Sequence, residues 1–149
     1  MSTTDTTEPI RTAFVCVQNA GRSQMSTAFA ERERERRGLA DQVEIHTGGT
    51  HPAEAVHDGV VETMAEAGFD LSDRTPRQID EMELRSCDYV ATMGCSTLDL
   101  GDTADSVDVR DWSLDDPDGR DPEAVQRIRD EIEAKVVGLF DEIEADLRD

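Results

Sequence analysis

Two side chains in the stretch Phe14 to Met25, FVCVQNAGRSQM, have the types and spacing for nucleophilic chemistry on an anion: the thiol of Cys16 and, six positions on, the guanidinium of Arg22. A thiol attacks only as thiolate, and helix N-termini and nearby arginines favour that form. The intervening residues Val17, Gln18, Asn19, Ala20 and Gly21 offer backbone N–H groups that can converge on one point as a nest for an anion. Gly21 accepts a turn that a bulkier residue resists, and Asn19 tolerates a left-handed conformation or ties the loop to itself. Arg22 presents a planar fork to two oxygens of a tetrahedral oxyanion. Ser23 is placed to cap the following helix or to donate to the Cys16 sulfur. A cysteine is often no more than a small buried apolar residue, and C-x5-R alone carries little information. The context adds the weight: a strand before, a helix after, Gly and Asn inside, Ser after Arg.

In-line displacement on such an anion needs an acid for the leaving group. The stretch SLDDPDG supplies Asp116, held before Pro117, with Asp115 second. By itself Asp-Asp-Pro in an acid-rich chain is only a turn; beside the Cys16 loop it becomes the candidate acid. Two further cysteines, Cys87 and Cys95, form no CxxC pair. His46, His51 and His57 show no ligand spacing with them, so neither a metal nor a cofactor is expected.

The elements that must position these groups alternate. Arg11–Val15 is predicted as a strand and Ser23–Arg37 as a helix, with Met25, Ala28 and Phe29 on its buried side. The ERERERR tip, with Glu33 and Arg37 at i,i+4, is expected to be solvated, and Gly38 ends the helix. QVEIHT reads as a strand, GGTHPA as a loop. Val56, Val60, Met64 and Ala67 mark a second helix closed by Gly68, and FDLSDRTPRQI a connection. Asp88–Met93 is a buried strand, with Cys87 a buried structural residue at its start, and VDVRDW a weaker strand. The last helix opens with Asp121 as N-cap and Pro122 at N1. Its stripe runs through Val125, Ile128, Ile132, Val136, Leu139, Ile143 and Leu147. Alternating strands and helices imply an α/β domain with a parallel sheet, right-handed crossovers and helices on both faces. Ligands of such sheets sit beyond the carboxyl ends of the strands, where Cys16 lies.

The 149 residues suit one domain, over residues 10–149, behind a disordered tail over residues 1–9. No run reaches a membrane span and no signal segment opens the chain, so a cytoplasmic protein with no membrane partner is expected. The formal charge is −20, with 35 acids against 15 basic residues of which only Lys135 is a lysine. Such a surplus repels itself at low salt and is screened in brine, which points to a halophilic cytosol. No basic patch exists to meet phosphates of a nucleic acid.

The stretches FVCVQNAGRSQMSTAFA, TGGTHPAEAV, FDLSDRTP, DYVATMGC and DWSLDDPDG together resemble the low-molecular-weight protein tyrosine phosphatase family, and more closely its arsenate reductase branch. The likeness runs from about Thr12 to the C-terminus. It implies a three-layer α/β/α fold on a four-stranded parallel sheet of order 2-1-3-4. It also implies roles: Cys16 as nucleophile, Arg22 and the 17–21 amides as oxyanion ligands, Ser23 as support of the thiolate, Asp116 as general acid. Reductases of this branch resolve the arsenylated cysteine with a second thiol, and Cys95, just past the buried strand on the same sheet edge as Cys16, is the candidate. Many relatives carry one more cysteine shortly afterwards; CSTLDLGD has none. Two routes stay open: a Cys16–Cys95 disulfide reduced by a thioredoxin-like or glutaredoxin-like protein, or attack by a small cellular thiol. The rival activity is phosphate monoester hydrolysis through phospho-Cys16. The resembling phosphatases place aromatic residues after Asp-Pro, and DPDGRDP has none.

Overall fold

A computed structural model of the protein describes residues 9–93, 107–115, 117 and 119–148. Cys95, Asp116 and the N-terminal tail through residue 8 therefore lie outside the described residues. The element order is β1 (Ile10–Cys16), α1 (Arg22–Arg36), β2 (Val43–Gly49), α2 (Asp58–Glu66), α3 (Glu81–Arg85), β3 (Tyr89–Thr92), β4 (Asp108–Asp111) and α4 (Pro122–Arg148). The strands form one sheet in the order β2-β1-β3-β4, every pairing parallel. This is the expected α/β architecture and strand order.

Strand period 2 sorts the side chains of β1 between two clusters. Phe14 and Cys16 join the larger one, with Met25 and Phe29 of α1, Val60 and Met64 of α2, and Ile132, Val136 and Phe140 of α4. Ala13 and Val15 face the other way, onto Ile79, Leu84 of α3, Cys87 and Val90. Trp112 packs in the core against Phe14, ring centroids 5.9 Å apart. The last helix starts as its sequence indicates, with Asp121 Oδ1 accepting from the Ala124 N–H at 2.8 Å.

Three differences have local causes. Helix α1 begins at Arg22, not Ser23, and its cap position is Gly21 without a side-chain cap; the Ser23 hydroxyl is engaged elsewhere. The ERERERR tip is not uniformly solvated: Glu33 is 5% exposed, because Arg32, Arg36 and Arg37 close over its carboxylate at 3.2, 3.5 and 3.1 Å. Helix α3 was not anticipated. It is only five residues long, and Asp80 caps it by accepting from the Glu83 N–H at 2.8 Å.

Candidate active site

Backbone geometry shapes the loop that leaves β1. The segment after β2 donates three N–H groups to it: His51 to the Val17 carbonyl at 2.8 Å, Ala53 to Gln18 at 2.9 Å and His57 to Ala20 at 3.0 Å. In a trans peptide the C=O and N–H point in opposite directions. With those carbonyls turned outward, the N–H groups of Gln18, Asn19 and Gly21 turn toward the concave side, where Cys16 sits. The Asn19 N–H indeed meets the Cys16 Sγ at 3.1 Å. The strand β2 can approach this closely because Gly49 has no Cβ; one added there would lie 2.3 Å from the Val17 carbonyl oxygen.

Asn19 is the pivot. It is the one non-glycine with positive φ among the described residues, 51°, as its side chain permits. Its amide makes four hydrogen bonds. Nδ2 donates to Ser23 Oγ at 2.7 Å and to Thr47 Oγ1 at 2.9 Å. Oδ1 accepts from Gln24 Nε2 at 3.0 Å and from the Arg77 N–H at 3.0 Å. Backbone groups at the ends settle every orientation between them. Arg77 N–H can only donate, so Asn19 Oδ1 faces it. Thr47 donates its proton to the Phe14 carbonyl at 3.0 Å, so its oxygen must accept from Asn19. Ser23 Oγ likewise accepts from Asn19, which leaves the Ser23 proton for the Cys16 Sγ, 3.0 Å away. The sulfur thus accepts two hydrogen bonds, the pattern that suits sulfur carrying negative charge.

Arg22 reaches across the carboxyl edge of the sheet. Its Nη1 donates to the carbonyl of Met93, just after β3, at 2.6 Å and to that of Leu114, after β4, at 2.9 Å. Gly21 sits at φ −140°, ψ −95° and in close quarters: a Cβ would lie 3.1 Å from Pro117 Cγ and 3.6 Å from His57 Cδ2.

The structure brings Cys16, the 17–21 loop, Arg22 and Ser23 to one sheet edge. Pro117 packs on that loop, while Asp115 is exposed. Cys95 and Asp116 lie outside the described residues. Cys87 is 4% exposed and its Sγ donates to the Glu83 carbonyl at 3.5 Å. Burial pushes its thiol up to about 11; it lies buried at the far end of β3 from the Cys16 loop, the position expected of it. No group of three or more potential metal ligands occurs among the described residues, and none of their helices is long and apolar enough to cross a membrane. Sequence reasoning missed Thr47, Arg77 and the donors at 51–57. The parallel register sets Thr47 opposite Phe14, and main-chain bonds of the segments after β2 and before α3 bring in the rest.

The model for low molecular weight phosphotyrosine protein phosphatases matches residues 11–149. The chain belongs to that family. Among the family's members, a Halobacterium salinarum protein provisionally named an arsenate reductase is 71% identical over 133 residues, covering 89% of this chain and 92% of its own. A solved arsenate reductase in a phosphate-binding state superposes with a TM-score of 0.77 at 26% identity, covering 90% of this chain and 98% of that one. The thioredoxin-dependent arsenate reductase of Corynebacterium glutamicum superposes with a TM-score of 0.73 at 31% identity, covering 93% of this chain and 64% of that one. The family's name records phosphatase chemistry, and these relatives carry a reductase name on the same fold.

Proposed function

We propose that this protein is an arsenate reductase whose nucleophile is Cys16. The observation that carries the reading is the Cys16 sulfur held between the Ser23 hydroxyl and the Asn19 N–H at the base of an amide-lined loop. The reductase relatives support the choice of substrate.

In the proposed cycle the Cys16 thiolate attacks arsenic(V). One arsenate oxygen leaves as water, protonated by Asp116, and an S–As bond forms. Arg22 and the N–H groups of the 17–21 loop balance the charge on the remaining oxygens, the largest service such a cradle performs. A thiolate, from Cys95 or from an external thiol, then attacks the Cys16 sulfur. The S–S bond forms as the S–As bond breaks, and the electron pair of that bond leaves with arsenic, which departs as arsenite. The disulfide returns to two thiols as an external dithiol, in a thioredoxin-like or glutaredoxin-like protein, or two equivalents of a small thiol become a disulfide in its place. We place this cycle in the cytoplasm, where reduced thiols persist. Phosphate monoester hydrolysis is the second reading. The same cradle accepts phosphate, and attack by Cys16 is shared; the family name favours it.

The deciding experiment is a single turnover. Reduced protein meets arsenate in molar potassium chloride without external thiol, and thiols and arsenite are counted together. Two thiols lost for about one arsenite, mapped to Cys16–Cys95, is the expected result. If neither changes, the internal relay is wrong. Arsenite on adding thioredoxin or a small thiol would then keep the reductase, and ester hydrolysis without arsenite would leave the phosphatase.

A further inference from the structure

The hydrogen-bond chain that orients Ser23 does not end at Asn19. Arg77, on the segment between α2 and α3, touches both anchors of the Asn19 amide. Its N–H donates to Asn19 Oδ1 at 3.0 Å, and its Nη1 donates to the carbonyl of Thr47 at 2.7 Å. Thr47 is the residue whose hydroxyl takes the other side of that amide. The Arg77 guanidinium is gripped by Glu83 through two bonds of 3.0 Å. Glu83 in turn meets His46 Nδ1 at 2.8 Å, and His46 Nε2 meets Glu44 at 2.7 Å. Main-chain bonds from Gly49 N–H to the Arg77 carbonyl at 2.9 Å and from Ile79 N–H to the Gly49 carbonyl at 3.2 Å fasten the same segment to the end of β2.

We propose that Arg77, clamped by Glu83, is a positioning residue for the Cys16 thiol, holding Asn19 and Thr47 so that the Ser23 proton stays on the sulfur. The argument is one of direction. If the Asn19 amide turned over, its oxygen would face Ser23, and the Ser23 proton would go to that oxygen. The sulfur would then lose a donor. The Arg77 N–H opposes this turn while the 77–79 segment stays in register with β2; the main-chain bonds at Gly49 set that register, and the bidentate pair to Glu83 with the bond to Thr47 tightens it. The pair remains ionised at working pH: Arg77 holds the Glu83 carboxyl below its ordinary range, and Glu83 raises Arg77. Both side chains are partly exposed, 49% and 23%, and exposed pairs add little to global stability. An effect of Arg77 on reactivity is therefore separable from an effect on folding.

This inference rests on Cys16 as the reacting thiol, and the test separates the two. The rate of Cys16 alkylation by iodoacetamide is followed by peptide mapping at fixed pH, with and without inorganic phosphate, beside arsenate turnover and thermal unfolding. Arg77→Ala, Arg77→Lys and Glu83→Gln are compared with the unmutated protein. The expected result for Arg77→Ala is a fall of roughly tenfold in both the alkylation rate constant and kcat, the worth of about one net hydrogen bond. The concentration of phosphate that halves alkylation should change little. Arg77→Lys should recover part of the rate, and Glu83→Gln should lie between. Unchanged alkylation in Arg77→Ala overturns the proposal. So does a loss that Lys does not lessen, or one that follows the unfolded fraction. If phosphate fails to slow alkylation of the unmutated protein, the oxyanion site itself is wrong, whatever the variants do.

Discussion

At the scale of single residues, two buried cysteines have opposite surroundings. Cys16 faces hydroxyl and amide donors; Cys87 lies in an apolar cluster, donates to the Glu83 carbonyl, and burial outweighs its hydrogen bond with Ser86. Burial raises the Cys87 thiol to about 11, so at pH 8 it is neutral and shielded. Native protein treated with iodoacetamide at pH 8 should therefore label at Cys16 and spare Cys87 until urea is added, with labels located by mass mapping. Equal native rates at the two sites would contradict the assignment. The pH sign follows from the same shift. The folded state keeps the Cys87 proton up to about 11, whereas an ordinary thiol loses it near ~8.5. The contribution is thus complete below ~8.5 and disappears as pH rises through the folded value.

At the scale of elements, the seam between α1 and α4 is electrostatic as well as apolar. Arg32 joins Glu33 to Glu133 of α4 at 2.8 Å, and Arg37 joins it to Asp141 at 3.0 Å and Glu144 at 2.7 Å. Glu33 is 5% exposed, so its charge is screened little by salt. Glu33→Gln should cost ~1.5–3 kcal/mol, the range for a hydrogen bond to a charged group. Removing the exposed Arg85–Glu81 pair of α3 should cost no more than ~0.5 kcal/mol. Urea midpoints of the two variants in low and molar salt check this; a Glu33 effect that vanishes in molar salt would mean that the seam is solvated. Elements were legible where one chain segment carries its own pattern. The α4 stripe and its Asp121–Pro122 start, β1 running into Cys16, and the 16–23 loop all depend on neighbours in sequence. Glu33, Thr47 and Arg77 were not legible, because what defines each is a partner supplied by packing or by strand register. Helix α3 lies between: Asp80 followed by Glu83 is a capping pattern that the sequence displays, but five residues with Leu84 as the buried anchor leave no periodicity to find.

At the scale of the whole molecule, the charge of −20 sets the conditions for folding. Several arginines are already committed to ion pairs within the fold, so the surplus acids repel one another across the surface. Raising salt from 0.1 to 1 M shortens the screening length from ~10 to ~3 Å. The thermal midpoint should climb by at least ~3 °C, about a kcal/mol for a chain of this size; a midpoint that stays level or falls in potassium chloride would refute the saline reading. The relative from Halobacterium accords with it.

The reach of Arg22 also sets an order in time. Its Nη1 donates to the carbonyls of Met93 and Leu114, the second 92 positions downstream. Strand β1 is made first yet occupies the middle of the sheet, flanked by β2 and β3. During synthesis at about 5–20 residues per second, roughly 5 to 20 s separate the emergence of the arginine from that of Leu114. A nascent chain that already contains every residue from Cys16 to Ser23 still has no braced guanidinium. For the nucleophile we propose, Cys16, the cradle is therefore assembled only once the polypeptide has been made as far as Leu114.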